Sequence, residues 1–335
     1  MSPGLLQNMN NWLLDHLVRP RDKMNLDLSD NNLICPDGHR YTVFDDIPVM
    51  LVEDAEETHG YISRTLEKIS NNSNADSAPQ TSETANGRID EFVQGEVPYT
   101  SGNLYFSVQH KLTRYPIPHT RLRNGSGERL LDIGCNWGRW SVAAAQKGYK
   151  PIGIDPSLDA VLAARRVSAQ LGVEADFVVG DARFLPFSDN SFDTVFSYGV
   201  FQHFSKENVR ISLDEVVRAL KQDGETLIQM PNKYGIRQYQ QHRRRGFTEG
   251  EGFEVRYWTP SELMNTFEKK LGPTTMTADC YFGLGIQASD VDLLPFHYQM
   301  VVRSSEALRK ISTIFRPLTK VADSVYLESI NQNKP

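Results

Sequence analysis

A short acidic and glycine-containing motif is the part of the sequence best suited to bind a ligand. Residues 132–138 read Asp-Ile-Gly-Cys-Asn-Trp-Gly and follow the apolar residues 130–131. A glycine directly after a buried strand lets a ligand approach the backbone closely. The dinucleotide fingerprint G-x-G-x-x-G, counted from Gly134, would need glycine where Asn136 and Arg139 stand. The motif therefore disfavours a pyrophosphate cofactor, and with it a nicotinamide dehydrogenase, and favours a more compact ligand.

Two further carboxylates follow later apolar runs. Asp155 ends the run that begins at Pro151, and Asp181 ends the run that begins at Phe177. A carboxylate about 20 residues after the first glycine typically accepts the hydroxyl hydrogens of a ribose. Asp181 can accept from an exocyclic amine, with the Ala182 amide beside it. An acidic, partly enclosed pocket of this kind favours a ligand that carries a positive charge.

These residues need a parallel sheet to bring them together. Apolar runs and helical segments alternate after residue 128, a pattern typical of strands wound with helices on both faces. In such a sheet ligands bind outside the carboxyl ends of the strands, where the motif, Asp155 and Asp181 all lie. Strands are predicted at 129–134, 151–155, 177–181, 192–197 and 225–230, helices at 140–147, 157–171 and 207–220, a helix start at the capping box 259–262, and a final antiparallel strand at 324–328.

Four sequence blocks in register resemble a known family. The resemblance covers residues 128–232 and is carried by LLDIGCNWG, IGIDPS, VVGDARFLPFSDNSFDTVFSYGVFQHF and LIQMPN. These blocks resemble the motifs of class I S-adenosylmethionine methyltransferases of the small-molecule, type 11-like group. The fold class implied is α/β, a Rossmann-like methyltransferase sheet, and the cofactor implied is S-adenosyl-L-methionine.

The resemblance also implies roles for individual residues. Asp132, Gly134 and Gly138 would line the methionine part of the cofactor, and Asp155 would hold its ribose. Asp181 and Ala182 would meet the adenine, and Ser197 and Tyr198 would border the methyl donor. Asn136 stands where glycine is commoner, but asparagine also tolerates a left-handed backbone. The full predicted cofactor-binding set is Asp132, Gly134, Cys135, Asn136, Trp137, Gly138, Asp155, Pro156, Asp181, Ala182, Arg183, Ser197, Tyr198 and Arg114.

Other polar residues could act on the cofactor or the acceptor. His203 follows the fourth predicted strand and is the candidate general base, because imidazole titrates near neutral pH; the alternative is that it only shapes the pocket. Arg114, on the segment entering the first strand, could pair with the cofactor carboxylate or lie in solvent. The insertion 233–257 interleaves tyrosines, a histidine and arginines. It is either a lid for a polar or anionic acceptor or a solvated loop.

The first 54 residues form a separately patterned segment. Over residues 11–54 they resemble small zinc-ribbon-like proteins related to a methyltransferase activator subunit, most closely at the phrase Asp-Asp-Ile-Pro-Val-Met-Leu, residues 45–51. A structural zinc site needs four ligands, and only Cys35 and His39 remain, since Arg19 and Asp22 occupy the usual cysteine positions. We therefore expect no metal. We expect a degenerate β-rich domain at 8–54 that packs against the rest, a linker at 55–88 and a methyltransferase domain at 89–335.

The composition narrows the class of protein and of partner. The 335 residues carry a net charge of −6, and their one dense basic run is 243–245, which disfavours nucleic acid as a partner. No apolar run approaches the ~20 residues of a transmembrane helix, so we expect no membrane association. Three distant cysteines fit a cytoplasmic location better than a disulfide framework. A homo-oligomer is compatible with the sequence.

The function predicted is methyl transfer from S-adenosylmethionine to a small-molecule acceptor such as a sugar or a secondary metabolite. One alternative keeps the chemistry but changes the acceptor to RNA or protein, because the N-terminal segment resembles an activator of such enzymes. A second alternative is a non-catalytic scaffold that binds the cofactor, which a turnover assay would distinguish from an enzyme.

Overall fold

The fold is seen in a computed structural model, which describes residues 9–29, 31–53, 60–73 and 88–332. The part of the chain before residue 102 supplies three helices and four short strands among these residues. In order they are α1 (Asn11–His16), β1 (Asp27–Ser29), β2 (Asn32–Ile34), β3 (Arg40–Phe44), β4 (Ile47–Met50), α2 (Tyr61–Ser73) and α3 (Glu91–Ser101).

The middle of the chain alternates strands and helices as the apolar periodicity predicts. Its strands are almost fully buried, and its helices have side-chain caps such as Ser157, which accepts from the Ala160 amide at 3.3 Å. The elements are β5 (Arg129–Ile133), α4 (Arg139–Gln146), β6 (Lys150–Asp155), α5 (Leu158–Gln170), β7 (Asp176–Gly180), β8 (Phe192–Ser197), α6 (Lys206–Ala219) and β9 (Leu220–Pro231).

The last third of the chain adds a helical insertion and a pair of antiparallel strands. The capping box predicted at Thr259 and Glu262 is present, with both reciprocal hydrogen bonds at the start of a helix. The elements are α7 (Ile236–Arg244), α8 (Pro260–Lys270), β10 (Thr274–Cys280), α9 (Phe296–Ile314) and β11 (Ser324–Ile330).

The described strands join in one eleven-stranded sheet. Its order is β1-β2-β3-β4-β7-β6-β5-β8-β9-β11-β10. The strands from β4 through β9 in this order run parallel, and β11 pairs antiparallel with β9. The predicted α/β fold with a central Rossmann-like sheet is confirmed. The antiparallel strand predicted at 324–328 is β11, but it does not end the sheet, because β10 pairs with its outer edge.

The N-terminal segment is built onto this sheet. Strand β4 pairs parallel with β7 through Val49 and Val179. The N-terminal segment, predicted as a distinct domain, thus shares one sheet with the rest of the described chain. Leu13 and Leu17 of α1 and its C-cap are buried in the same apolar core as Phe187. The expectation that this segment packs against the rest of the chain is confirmed.

The predicted linker at 55–88 is wrong in part. Residues 61–73 within it form α2, in which Ile62, Leu66 and Ile69 recur at helical spacing and pack beside Val161. This short apolar stripe is the helical signal that the polar composition of 70–87 obscured. The linker residues 54–59 and 74–87 lie outside the described part of the chain.

Candidate cofactor and acceptor site

A large cavity lies at the carboxyl ends of the parallel strands. Its volume is about 1530 Å³. A pocket for one drug-sized ligand typically measures about 300–1,000 Å³, so this cavity has room for a cofactor and a second molecule. Among the residues predicted from sequence, those that line it are Gly134, Asn136, Asp155, Pro156, Asp181, Ala182, Tyr198 and His203.

The loop after β5 has the tight geometry that its glycines and asparagine indicate. Gly134 has φ +73°, and a Cβ there would lie 2.1 Å from Val200 Cγ2, so no larger residue fits. Asn136 also adopts positive φ, at +45°, and its Oδ1 accepts the Trp137 amide at 2.8 Å. Asparagine tolerates this left-handed backbone, and its side chain accepts a hydrogen bond from the next backbone amide in the turn. Both properties explain asparagine at this position.

Asp155 is the carboxylate that this loop positions at the cavity. Its Oδ2 accepts the Asn136 amide and its Oδ1 accepts the Ser157 amide, both at 3.0 Å. Burial raises the pKa of Asp155 to about 6, against the lowering effect of these two hydrogen bonds. The carboxylate is thus fixed in orientation and ionised at neutral pH, ready to accept from hydroxyl groups.

Asp181 forms a second carboxylate at the cavity, held by its neighbour. Its Oδ2 lies 2.6 Å from Arg183 Nη2, and both side chains are buried. Arg183 does not line the cavity, so its contribution is to orient Asp181. Sequence reasoning placed Arg183 among the cofactor contacts and did not anticipate this buried ion pair.

Several predicted residues lie behind the cavity wall and support it. Asp132 is fully buried, accepts from Ser141 Oγ at 2.6 Å, and has its pKa raised to about 7 by burial. Ser197 Oγ donates to the Ile133 carbonyl at 3.1 Å. Cys135, Trp137, Gly138 and Ser197 are likewise absent from the lining.

The prediction that Arg114 meets the cofactor carboxylate is not supported. Its Nη2 pairs with Asp292 Oδ1 at 2.6 Å and donates to the Ser289 carbonyl at 3.0 Å. Its side chain is 40% exposed, and it does not line the cavity. The segment that precedes β5 does line the cavity, through Tyr99 and Phe106.

His203 lines the cavity with its ring engaged by neighbours. Nδ1 lies 2.7 Å from the Phe253 carbonyl, so it carries the proton and donates. Nε2 lies 3.0 Å from Gln202 Nε2 and accepts from that amide. The Phe253 ring stacks on the imidazole at 3.9 Å between centroids. These contacts favour a shaping role and occupy the lone pair that a general base would use.

Two covering helices supply residues that sequence reasoning missed. Thr65 Oγ1 of α2 donates to the Pro156 carbonyl at 3.0 Å and accepts the Leu158 amide at 3.1 Å. Glu96 of α3 lines the same region, and burial raises its pKa. The apolar spacing in α2 could have revealed the helix, but no local signal shows that Glu96 faces a ligand site.

The N-terminal segment holds an ion-pair cluster at the positions that sequence reasoning compared with zinc ligands. Arg19 Nη1 lies 3.1 Å from Asp22 Oδ2 and 2.6 Å from Asp37 Oδ2, close to Cys35 and His39 in sequence. In the part of the chain that the structure describes, no three His, Cys, Asp or Glu side chains are grouped so as to hold a metal ion.

Comparison with known families adds a direct match to the strand and loop region just described. Residues 130–224 match the family model described as a methyltransferase domain. This part of the chain therefore matches a methyltransferase domain. The cofactor of this domain is S-adenosylmethionine. Among the described residues, no helix is long and apolar enough to cross a membrane.

Individual relatives match about a third of this chain in sequence. An uncharacterised methyltransferase of Bacillus subtilis, YcgJ, is 39% identical over 101 residues, which is 30% of this chain and 39% of the relative. A probable fatty acid methyltransferase of Pseudomonas putida is 35% identical over 107 residues, 31% of this chain and 27% of the relative. The crystal structure of YcgJ superposes with a TM-score of 0.41 at 23% identity, covering 64% of this chain and 95% of that one. The chain thus spans less than half the length of these curated relatives.

The residues at the cavity fit this cofactor. The methyltransferase domain presents two buried carboxylates, Asp155 and Asp181, and a glycine-bearing loop with positive φ at Gly134 and Asn136. The carboxylates can accept the hydroxyl and amine hydrogens of an adenosine group. The negative charge of Asp155 also suits a sulfonium cation.

Proposed function

We propose that the protein transfers a methyl group from S-adenosylmethionine to a small-molecule acceptor. The observation that carries this proposal is the size and lining of the cavity. Its volume of about 1530 Å³ exceeds that of a pocket for one ligand, and its lining includes Phe253, Tyr257 and Phe282 besides Asp155 and Asp181. Residues of α2, α3 and α7 also line it, which fits a molecule small enough to be enclosed.

When bound, the cofactor supplies an electrophilic methyl group. Asp155 would hold its ribose, Asp181 and Ala182 its adenine, and the backbone of 134–138 its methionine part. The contribution of this chain is to orient the acceptor and exclude water from it.

An RNA or protein acceptor is less well supported. The net charge is −6, and helices α2, α3 and α7 all contribute residues to the lining of the cavity. An RNA acceptor usually meets a basic surface. We therefore retain the small-molecule class as the proposal.

We further propose that the N-terminal segment, which resembles an activator subunit, stabilises the methyltransferase sheet within the same chain. Support comes from the pairing of β4 with β7 and from Lys23, whose Nζ lies 2.6 Å from Glu215 Oε2 of α6. The pairing extends the sheet past β7, which would otherwise be an exposed edge.

Methyl-labelled S-adenosylmethionine tests the acceptor class. The protein is incubated with an extract of its source cells separated into metabolite, RNA and protein fractions. We expect label in the metabolite fraction, and less of it with Asp155→Asn. Label in RNA or protein alone would contradict the small-molecule proposal. Cofactor binding without label in any fraction would indicate a non-catalytic scaffold.

A further inference from the structure

One face of α7 presents only polar and positively charged side chains to the cavity. The lining residues of this helix and its C-terminal end recur at the spacing of a single helical face. They are Arg237, Gln238, Gln241, Arg244 and Arg245. The stretch 233–248 contains no carboxylate at all. This face therefore brings positive charge to the cavity, and no carboxylate of the same stretch neutralises it.

Two of the three arginines have no protein partner in the described part of the chain. Arg245 pairs with Glu254 at 3.3 Å and donates to the Val255 carbonyl at 2.9 Å. No described residue forms an ion pair or hydrogen bond with the guanidinium of Arg237 or Arg244, and both side chains are exposed at the cavity. A guanidinium stays charged and offers five donors, which suit carboxylate and phosphate oxygens.

The helix that carries these arginines is anchored. Asp323, fully buried, accepts the Arg237 amide at 2.6 Å and the Gln238 amide at 2.9 Å through Oδ1. His242 is 4% exposed and packs edge-on against Phe247 and Tyr257 at 5.2 and 5.0 Å between ring centroids. The arginine face is thus a built part of the cavity wall.

The two cofactor carboxylates and the two arginines that lack a partner among the described residues lie on different sides of the cavity. Asp155 and Asp181 end β6 and β7, whereas α7 follows β9, which lies on the other side of β5 and β8 in the sheet. Aromatic side chains of Phe253, Phe282 and Tyr298 also line the cavity. The carboxylates serve the cofactor, so the arginines are left for the second ligand.

We propose that the acceptor carries an anionic oxygen group, a carboxylate or a phosphate, on an apolar or aromatic body, and that Arg237 and Arg244 bind that group. This inference rests on the proposed function and specifies its substrate class. Loss of one arginine should weaken anion binding about tenfold to a hundredfold, the usual effect of removing a charged hydrogen bond.

Three matched probes test the proposal by calorimetry on the full chain saturated with S-adenosylhomocysteine: 2-naphthoate, 2-naphthyl phosphate and the neutral 2-naphthamide. We expect at least one anion to bind about tenfold or more tightly than the amide. Arg237→Gln and Arg244→Gln should remove that preference and leave amide binding unchanged. The stronger anion identifies the group as carboxylate or phosphate.

The control is Arg243→Gln, which removes the same charge from an exposed position of the same helix that does not line the cavity. It should leave the affinity of every probe unchanged. Absence of anion binding, no preference over the amide, or an equal loss in Arg243→Gln would overturn the proposal. S-adenosylhomocysteine binding is measured in the wild type and in each variant. If the wild type does not bind S-adenosylhomocysteine, the result counts against the methyltransferase function and not against the anion site.

Discussion

At the scale of single residues, His203 is the group whose role the structure changes most. Its position after the fourth parallel strand suggested a general base, but Gln202 donates to its Nε2 and the Phe253 carbonyl accepts from its Nδ1. A base needs an available lone pair directed at the acceptor. The contacts instead make the imidazole a bridge between the strand end and the loop that carries Phe253.

We therefore expect His203→Ala to lower cofactor or acceptor affinity as much as it lowers turnover. Labelled methyl transfer and calorimetry with S-adenosylhomocysteine would measure the two effects. A fall in turnover of ~10²-fold or more with affinities unchanged, and loss of a titration near neutral pH from the rate profile, would show that His203 is a base after all.

Asp155 links the pH of the solution to cofactor affinity. Its pKa is raised to about 6, and only the ionised carboxylate can accept both ribose hydroxyl hydrogens. As pH falls from neutral to about 5, the ionised fraction falls roughly tenfold, and affinity for S-adenosylhomocysteine should fall with it. Asp155→Asn should bind weakly at every pH. A wild-type affinity that does not change over this range would contradict the assignment.

Unfolding in acid cannot mimic that effect through this group. A carboxyl whose pKa is raised by folding binds its proton more tightly in the folded state than in the unfolded state. Its own contribution to the free energy of unfolding therefore increases as pH falls from about 6 towards its unfolded value. Thermal denaturation at each pH provides the check.

At the scale of elements, the alternation of strands and helices could be predicted because each local signal agreed with it. Buried apolar runs ended in Asp or Gly at the cavity, and Ser157 and Thr259 began helices as expected. The position of β10 outside β11 could not be predicted. The two strands start about 50 residues apart in sequence, so no local pattern shows that they pair. The role predicted for Arg114 was not supported for the same reason, because its partner Asp292 is distant in sequence.

The N-terminal elements should unfold together with the methyltransferase sheet. Leu17 is 3% exposed, and it forms a bridge with Phe187 of the central part. Leu17→Ala should lower the global free energy of unfolding by about 2–5 kcal/mol, because it leaves a cavity in a shared core. Leu28→Ala, at a side chain 39% exposed on β1, should change it by less than about 0.5 kcal/mol.

Urea unfolding followed by two probes would measure both variants. A separate early transition for the N-terminal elements, or an unchanged stability in Leu17→Ala, would show that they fold independently of the sheet.

At the scale of the whole molecule, the structure brings half of the predicted cofactor residues to one cavity and pairs the N-terminal segment with the central sheet. The cofactor residues lie within about 50 residues of one another in sequence and share one sheet edge, so their motif predicts their proximity. The covering elements come from both ends of the chain, and only tertiary packing brings α2, α3 and α7 over the cavity. The sequence therefore predicts the cofactor half of the cavity better than the acceptor half.

Calorimetry with S-adenosylhomocysteine and NAD tests the central claim most directly. The full chain should bind S-adenosylhomocysteine and show no binding of NAD. Asp155→Asn should weaken the former by ~1.5–3 kcal/mol, the usual effect of losing charged hydrogen bonds. Asp214→Asn, an exposed carboxylate on α6 that pairs with Lys270 and does not line the cavity, should leave it unchanged. Binding of NAD, or equal affinity in wild type and Asp155→Asn, would contradict this account.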